Sequence, residues 1–234
     1  MSEQHAVQRQ PIASRSHTLG LIAIIVIWAF CAALTAGRLR ASAGSSHIFF
    51  YLRALIFEWL VVGYIAWGVR RRGGTLRGLI GGSWERARDF WRDVLVAFLF
   101  WIAALTGLAI LRVALQVKRT LDNVRFLAPH TRGEIVVWIL VSLTAGFCEE
   151  TIFRGYLQRQ FIAWSGKPIV GILLSSVLFG LAHAYQGGKQ TIVLGAFGAL
   201  FGLLADWRRS LRPGMMAHAW QDALSGLAIR MIAK

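Results

Sequence analysis

Seven stretches of this 234-residue chain read as membrane crossings: 19–36, 48–69, 94–116, 135–157, 168–186, 190–207 and 213–232. A helix needs about 20 predominantly apolar residues to cross the hydrocarbon of a bilayer. The pattern predicts an all-α fold, a polytopic transmembrane helical bundle of about seven spans (six to eight), the last of them the least hydrophobic. It is expected to form one transmembrane domain over 19–234, with its motif-bearing core at 135–232, behind a cytoplasmic polar tail at 1–18. Composition agrees: 56% of residues are hydrophobic and 16% charged, against about 25% charged in soluble domains. Such a chain has too little polar surface to cover itself in water, which also excludes intrinsic disorder and a disulfide-rich secreted scaffold. The two cysteines, Cys31 and Cys148, lie inside apolar runs and read as small core residues.

Lys and Arg number 26 against 11 Asp and Glu, a formal charge of +15. In a soluble protein that excess would suggest nucleic acid. Here the bases lie mostly between apolar runs, as in cytoplasmic loops, so no nucleic-acid partner is expected. With seven spans, the tail and loops 70–93, 158–167 and 208–212 hold 14 bases against 8 on the other side. The positive-inside rule then places the N-terminus in the cytoplasm of a bacterial-type inner (plasma) membrane. Ala41-Ser42-Ala43-Gly44 resembles a signal-peptidase site, but Arg38 and Arg40 separate it from the apolar run, which favours a retained first helix. Between the second and third spans, apolar residues at three- and four-residue intervals interleave with Arg77, Arg86, Arg88 and Arg92. They suit an interfacial amphipathic helix at 74–92, or a basic loop, since Gly81-Gly82 interrupts the run. Gly195, Gly198 and Gly202 along one span read as close helix packing.

Ionisable groups inside a bilayer cost several kcal/mol each. Yet Glu58, Glu149, Glu150 and Asp222, four of only 11 acids, fall well inside apolar stretches, as do His183 and His218. On a helix Glu150 and Arg154 stand at i,i+4 and can pair. Glu149 lies about 100° around the axis from Glu150. One carboxylate is thus braced and the other free to exchange protons, unless both merely neutralise Arg154 and Arg159. His183 closes a Phe179-x-x-x-His183 run; His218 and Asp222 share a helix face at i,i+4. Each feature alone also fits a structural role. Their coincidence in a chain this short of acids and histidines does not.

Glu149-Glu150-x-x-x-Arg154, Phe179-x-x-x-His183 and His218-x-x-x-Asp222, in that order on late spans, resemble the motifs of the CAAX protease and bacteriocin-processing (Abi) family of intramembrane proteases. The resemblance covers about residues 146–225. It implies an endopeptidase cutting peptide bonds of membrane-associated protein or peptide substrates in or near the lipid bilayer. Carried over, Glu149 is the general base for the attacking water and His183 assists it. His218 and Asp222 stabilise the oxyanion, Glu150 with Arg154 holds Glu149 in position, and Phe179 packs. Where the family often has Asn, this chain has Asp222, a group that could instead orient His218 or bind a metal. A metal-free, glutamate-type mechanism is expected, with no cofactor. The alternative is zinc held by Glu149, His183, His218 and Asp222, a set without HExxH spacing. Other readings are a transporter using the same groups as a proton relay, and a non-catalytic immunity or scaffold protein. At about 1.5 Å per residue, Glu149 lies roughly 12 Å, Asp222 roughly 14 Å and His183 roughly 22 Å from the cytoplasmic ends of their spans, which leaves the site open.

Overall fold

The protein is described by a computed structural model over residues 10–41, 47–117 and 128–232. All regular structure among these residues is helical: α1 (Arg15–Ala41), α2 (Ile48–Arg70), α3 (Leu76–Ile80), α4 (Ala87–Ala114), α5 (Arg132–Glu149), a π-helical segment (Glu150–Gln158), α6 (Arg159–Ser165), α7 (Pro168–Ala182), a 3₁₀ turn (Ala184–Gln186), α8 (Gly188–Arg208) and α9 (Arg212–Ile232). Five helical runs are long and apolar enough to cross a membrane, with α5, the π segment and α6 counting as one over Arg132–Ser165. The other two expected spans are also helices. However, α7 is a short apolar one of 15 residues, and α9, at 21 residues, is the less hydrophobic one. Leu19, Phe30, Leu60, Phe98, Ile110 and Leu173 point outward, an arrangement that lipid solvates and water would not.

The expected interfacial helix at 74–92 is not continuous. Thr75 caps a five-residue helix by accepting from the Gly78 amide at 3.1 Å. The chain then breaks at Gly81 (φ +95°) and Gly82 (φ +83°), a left-handed conformation that glycine alone adopts freely. A Cβ at Gly81 would lie 2.7 Å from the Arg209 carbonyl oxygen, because this loop is docked on the α8–α9 junction through Leu211 N–H to Ile80 O at 2.9 Å. Buried Asp93 of α4 fastens the same junction, accepting from Arg208 Nη2 (3.0 Å) and Trp84 Nε1 (2.9 Å) and facing Arg212 Nε at 3.3 Å.

Residues 15–18, read from sequence as part of the polar tail, form the first turn of α1. His17 Nε2 donates to the Tyr64 carbonyl (3.0 Å), so Nδ1 accepts from the Tyr156 hydroxyl (2.7 Å). Gln160 bonds the amide of Ile12 and the carbonyl of Ala13. The polar face of the π segment and α6 is thus satisfied by the chain's own start. Residues 1–9, and 42–44 of the disfavoured cleavage motif, lie outside the described residues.

The site on the broken fourth helix

α5 begins in a capping box, Thr131 accepting from the Glu134 amide while Glu134 accepts from the Thr131 amide. Eighteen residues later regular α-helix gives way to the π segment. Its i→i+5 hydrogen bonding makes a wider turn, rare in proteins and frequent at functional sites. All nine of its residues are buried. Polar side chains on every face therefore need partners from neighbouring helices, and α8 supplies two. Arg154 Nη2 donates to Gly198 O (3.2 Å) and Gln158 Nε2 to Gly202 O (3.0 Å). The glycines of α8 allow the approach, as read from their spacing. A Cβ at Gly198 would come within 3.2 Å of Ser176 Cα, and one at Gly202 within 2.7 Å of Gln158 Oε1.

At the junction, Glu150 Oε1 lies 3.0 Å from Arg154 Nη1, with side chains 1% and 0% exposed. The expected pair therefore forms. The Arg154 guanidinium also lies over the Phe179 ring at 4.4 Å, which gives the packing residue a second role as a floor for the cation. The sequence did not reveal the next contact. Glu150 Oε1 is also 2.9 Å from His218 Nδ1. The carboxylate accepts, so Nδ1 donates and Nε2 is turned toward Glu149 Oε2 (3.7 Å) and Asp222 Oδ2 (3.6 Å). Glu150, then, orients His218 on its Nδ1 side, while Asp222 faces the opposite nitrogen. α9 comes this close because Gly146 lacks a side chain: a Cβ there would lie 2.6 Å from Met215 O.

His183 ends α7. Its backbone (φ −104°, ψ 12°) has left the helix, and its Nδ1 donates to Phe179 O at 2.9 Å. Its Nε2 faces Glu149 Oε1 at 3.8 Å. The two imidazoles thus use Nδ1 to fix their orientation and present Nε2 to opposite oxygens of one carboxylate. The structure brings together all six expected residues, Glu149, Glu150, Arg154, His183, His218 and Asp222. Two more join them. Glu58 of α2 and Tyr185 of the 3₁₀ turn are within electrostatic reach of Glu149 and Asp222. Arg53 stays apart, its guanidinium over Trp28 and Phe50.

The depths of Glu149 and His183 now agree, whereas Asp222 lies only about 15 Å from the start of α9. Because the fourth helical run continues to Ser165, Glu149 is about 24 Å from its end, against about 22 Å for His183 above the start of α7. The donor set is slightly wider than a zinc tetrahedron. A tetrahedron with bonds of about 2.0–2.1 Å has edges of about 3.3 Å, and the facing pairs stand 3.6–3.8 Å apart. Among the described residues no group of three or more His, Cys, Asp or Glu is placed to hold a metal ion.

A helical membrane bundle with carboxylates and imidazoles gathered at a break in one span is the class that fold and site define. Residues 131–224 match the family model described as type II CAAX prenyl endopeptidase Rce1-like. Over that stretch, less than half of its length, the chain is similar to that family. A further relative is the uncharacterized protein YpbD of Bacillus subtilis (strain 168), 31% identical over 94 residues, 39% of this chain and 45% of YpbD. The chain thus spans less than half the length of that relative. No solved structure matches.

Proposed function

We propose that the protein is an intramembrane endopeptidase that hydrolyses peptide bonds of membrane-associated proteins or peptides with a water activated by Glu149. One observation carries the reading: His183 Nε2 and His218 Nε2 face the two oxygens of Glu149 at 3.8 and 3.7 Å. These separations are too long for direct hydrogen bonds, so the three groups converge on a reacting centre without consuming one another. Glu149 takes the proton of the attacking water, and His183, its tautomer fixed by Phe179 O, assists at Oε1. His218, whose Nδ1 is bound to a carboxylate, can carry a second proton on Nε2 and donate it to the oxyanion of the tetrahedral intermediate. A donor of this kind is worth about 3–4 kcal/mol. Asp222 stands beside that nitrogen as counter-charge. Glu150 and Arg154 are positioning residues, acting through His218 and the helix break. No step runs through a metal, and cleavage is expected to survive chelation. The membrane orientation proposed is N-terminus cytoplasmic.

Glu149→Gln keeps the shape of the side chain and removes the base. The variant is expected to lose cleavage of membrane-associated peptides by at least about a hundredfold, read by mass spectrometry, at an unchanged melting temperature. Parent-like cleavage by this variant would remove Glu149 from the mechanism.

A second reading, a proton-coupled carrier, has in its favour that Glu58 joins the carboxylate cluster. It predicts substrate-driven proton uptake into proteoliposomes containing the Glu149→Gln variant's parent, with no new peptide termini. The chain lacks the halves of similar pattern common in carriers.

A further inference from the structure

Two indoles from different helices hold one turn of α9. Trp101 Nε1 of α4 donates to Gln221 Oε1 at 2.9 Å, and Trp138 Nε1 of α5 donates to the Asp222 carbonyl at 3.1 Å. The first bond ends on a side chain. The second ends on the backbone of a site residue, and the proposed chemistry does not use it. Trp138 precedes Glu149 by 11 residues on α5, which is three turns to within about 20°. Both side chains therefore belong to one face of that helix. On α9, His218, Asp222 and Gly226 recur at four-residue intervals and form one stripe. The first two bring Nε2 and Oδ2 to 3.6 Å. The third has no side chain, and the indole occupies the place of one: a Cβ at Gly226 would lie 2.3 Å from Trp138 Nε1. That opening lets the N–H reach the carbonyl four residues earlier on the same stripe.

Filling space does not account for a tryptophan at 138, because an apolar ring would cover Gly226 without bringing an N–H into hydrocarbon. A tryptophan of the interfacial belt keeps its polar edge at the headgroups, whereas this one turns it inward. Buried Tyr51 of α2 meets the indole edge-on at 5.4 Å and backs it from the other side. The Asp222 carbonyl also accepts from Ser225 Oγ at 3.0 Å, so it is bound from both helices. We infer that Trp138 is a positioning residue, which through the Asp222 backbone fixes the height and rotation of α9 against α5. It thereby sets where His218 and Asp222 stand relative to Glu149. The inference rests on the endopeptidase reading for its kinetic consequence. Two contacts bracket His218 along α9. One is Met215 O against Gly146, where a Cβ would lie at 2.6 Å, and the other is the Trp138 bond at Asp222. A slide of one residue would move α9 by about 1.5 Å, and a misplacement of about 1 Å can cost a hundredfold in rate.

The experiment uses the full chain in lipid bicelles with benzothienylalanine at position 138, the same ring with sulfur in place of the N–H, and Trp138→Phe beside it. Cleavage of membrane-associated peptides should lose about tenfold in kcat, the equivalent of one hydrogen bond, with KM unchanged. In chains carrying isotope-labelled histidine, the His218 imidazole resonance should move on replacement and that of His183 should stay. A role confined to packing leaves kcat and the His218 resonance of the sulfur analogue at parental values, and that result overturns the inference. A lowered melting midpoint with kcat per folded molecule kept at the parental value overturns it as well. A chain that cleaves no peptide, yet shows the His218 shift on replacement, refutes the endopeptidase reading and leaves the positioning role standing, which separates the two failures.

Discussion

Replacing Glu150 by Gln probes the most concentrated electrostatic feature of the molecule. Glu150 Oε1 forms an ion pair with Arg154 Nη1 at 3.0 Å and accepts a hydrogen bond from His218 Nδ1 at 2.9 Å, and the three side chains are 1%, 0% and 4% exposed. Glutamine preserves volume and one acceptor but removes the only carboxylate in contact with Arg154 among the described residues. Removing one partner of a buried pair costs about 3–5 kcal/mol, because the remaining charge is uncompensated. For a chain of 150–250 residues each kcal/mol moves the midpoint by about 2–4 °C, so a fall of about 6–20 °C is expected. The measurement is thermal unfolding in detergent alongside cleavage of membrane-associated peptides. A second variant separates stability from chemistry. Glu150→Gln/Arg154→Met removes both charges, a change that is often near neutral in a buried pair. It should regain most of the lost midpoint but not the activity, because His218 Nδ1 still lacks its carboxylate. A fall below about 3 °C for the single variant, or a double variant no more stable than the single, would refute the argument that this pair holds the helix break together.

Two further outcomes can be checked directly. Gly146→Leu places a side chain where Met215 O is 2.6 Å and the Ala219 methyl 2.9 Å from a Cβ. It should cost about 1–3 kcal/mol of overpacking and abolish cleavage with helicity intact, whereas Gly107→Leu, with nothing within 4 Å, should leave the midpoint unmoved. Stability should also fall on acidification at His47, outside the spans: burial holds its imidazole below the ordinary value of 6.5, with Glu134 opposing and His130 reinforcing the shift. The unfolded chain then binds more protons, so stability rises with pH below about 6.5 and levels off above it. His47→Asn should flatten that slope in thermal melts at pH 5.5 and 7.5; an unchanged slope would assign the acid sensitivity elsewhere.

The helices of the first half were legible because lipid-facing helices must be apolar over their whole length, and 19–36, 48–69 and 94–116 differ from the observed elements mainly at the ends. That six polar residues would be gathered was legible for a related reason: acids and histidines are costly in hydrocarbon and seek partners there. The π segment was not. Periodicity registers a backbone only where one face is wet and another dry, and Glu150–Gln158 is buried on all faces. The continuation of that run was legible only as the longer helix, through Gln160, that would narrow the depth gap; it runs to Ser165. Gln158, Arg159 and Gln160 look like a loop in sequence, yet each bonds to backbone elsewhere: Gly202 O, Gly78 O and the Ala13 region.

These two hidden features complete the site. Ending the fourth span at residue 157 leaves Glu149 about 10 Å out of level with His183, whereas running it to Ser165 brings them within about 2 Å. Glu150, the first residue of the π turn, meets Arg154 on its own helix and His218 across the bundle. Glu149, one residue earlier at the end of regular α-helix, is left facing both Nε2 atoms. The division of labour proposed for the adjacent glutamates, one holding and one reacting, matches the point where the helix changes type. A variant that restored α-helical bonding through 150–158 would disable the site even with every polar residue of it retained.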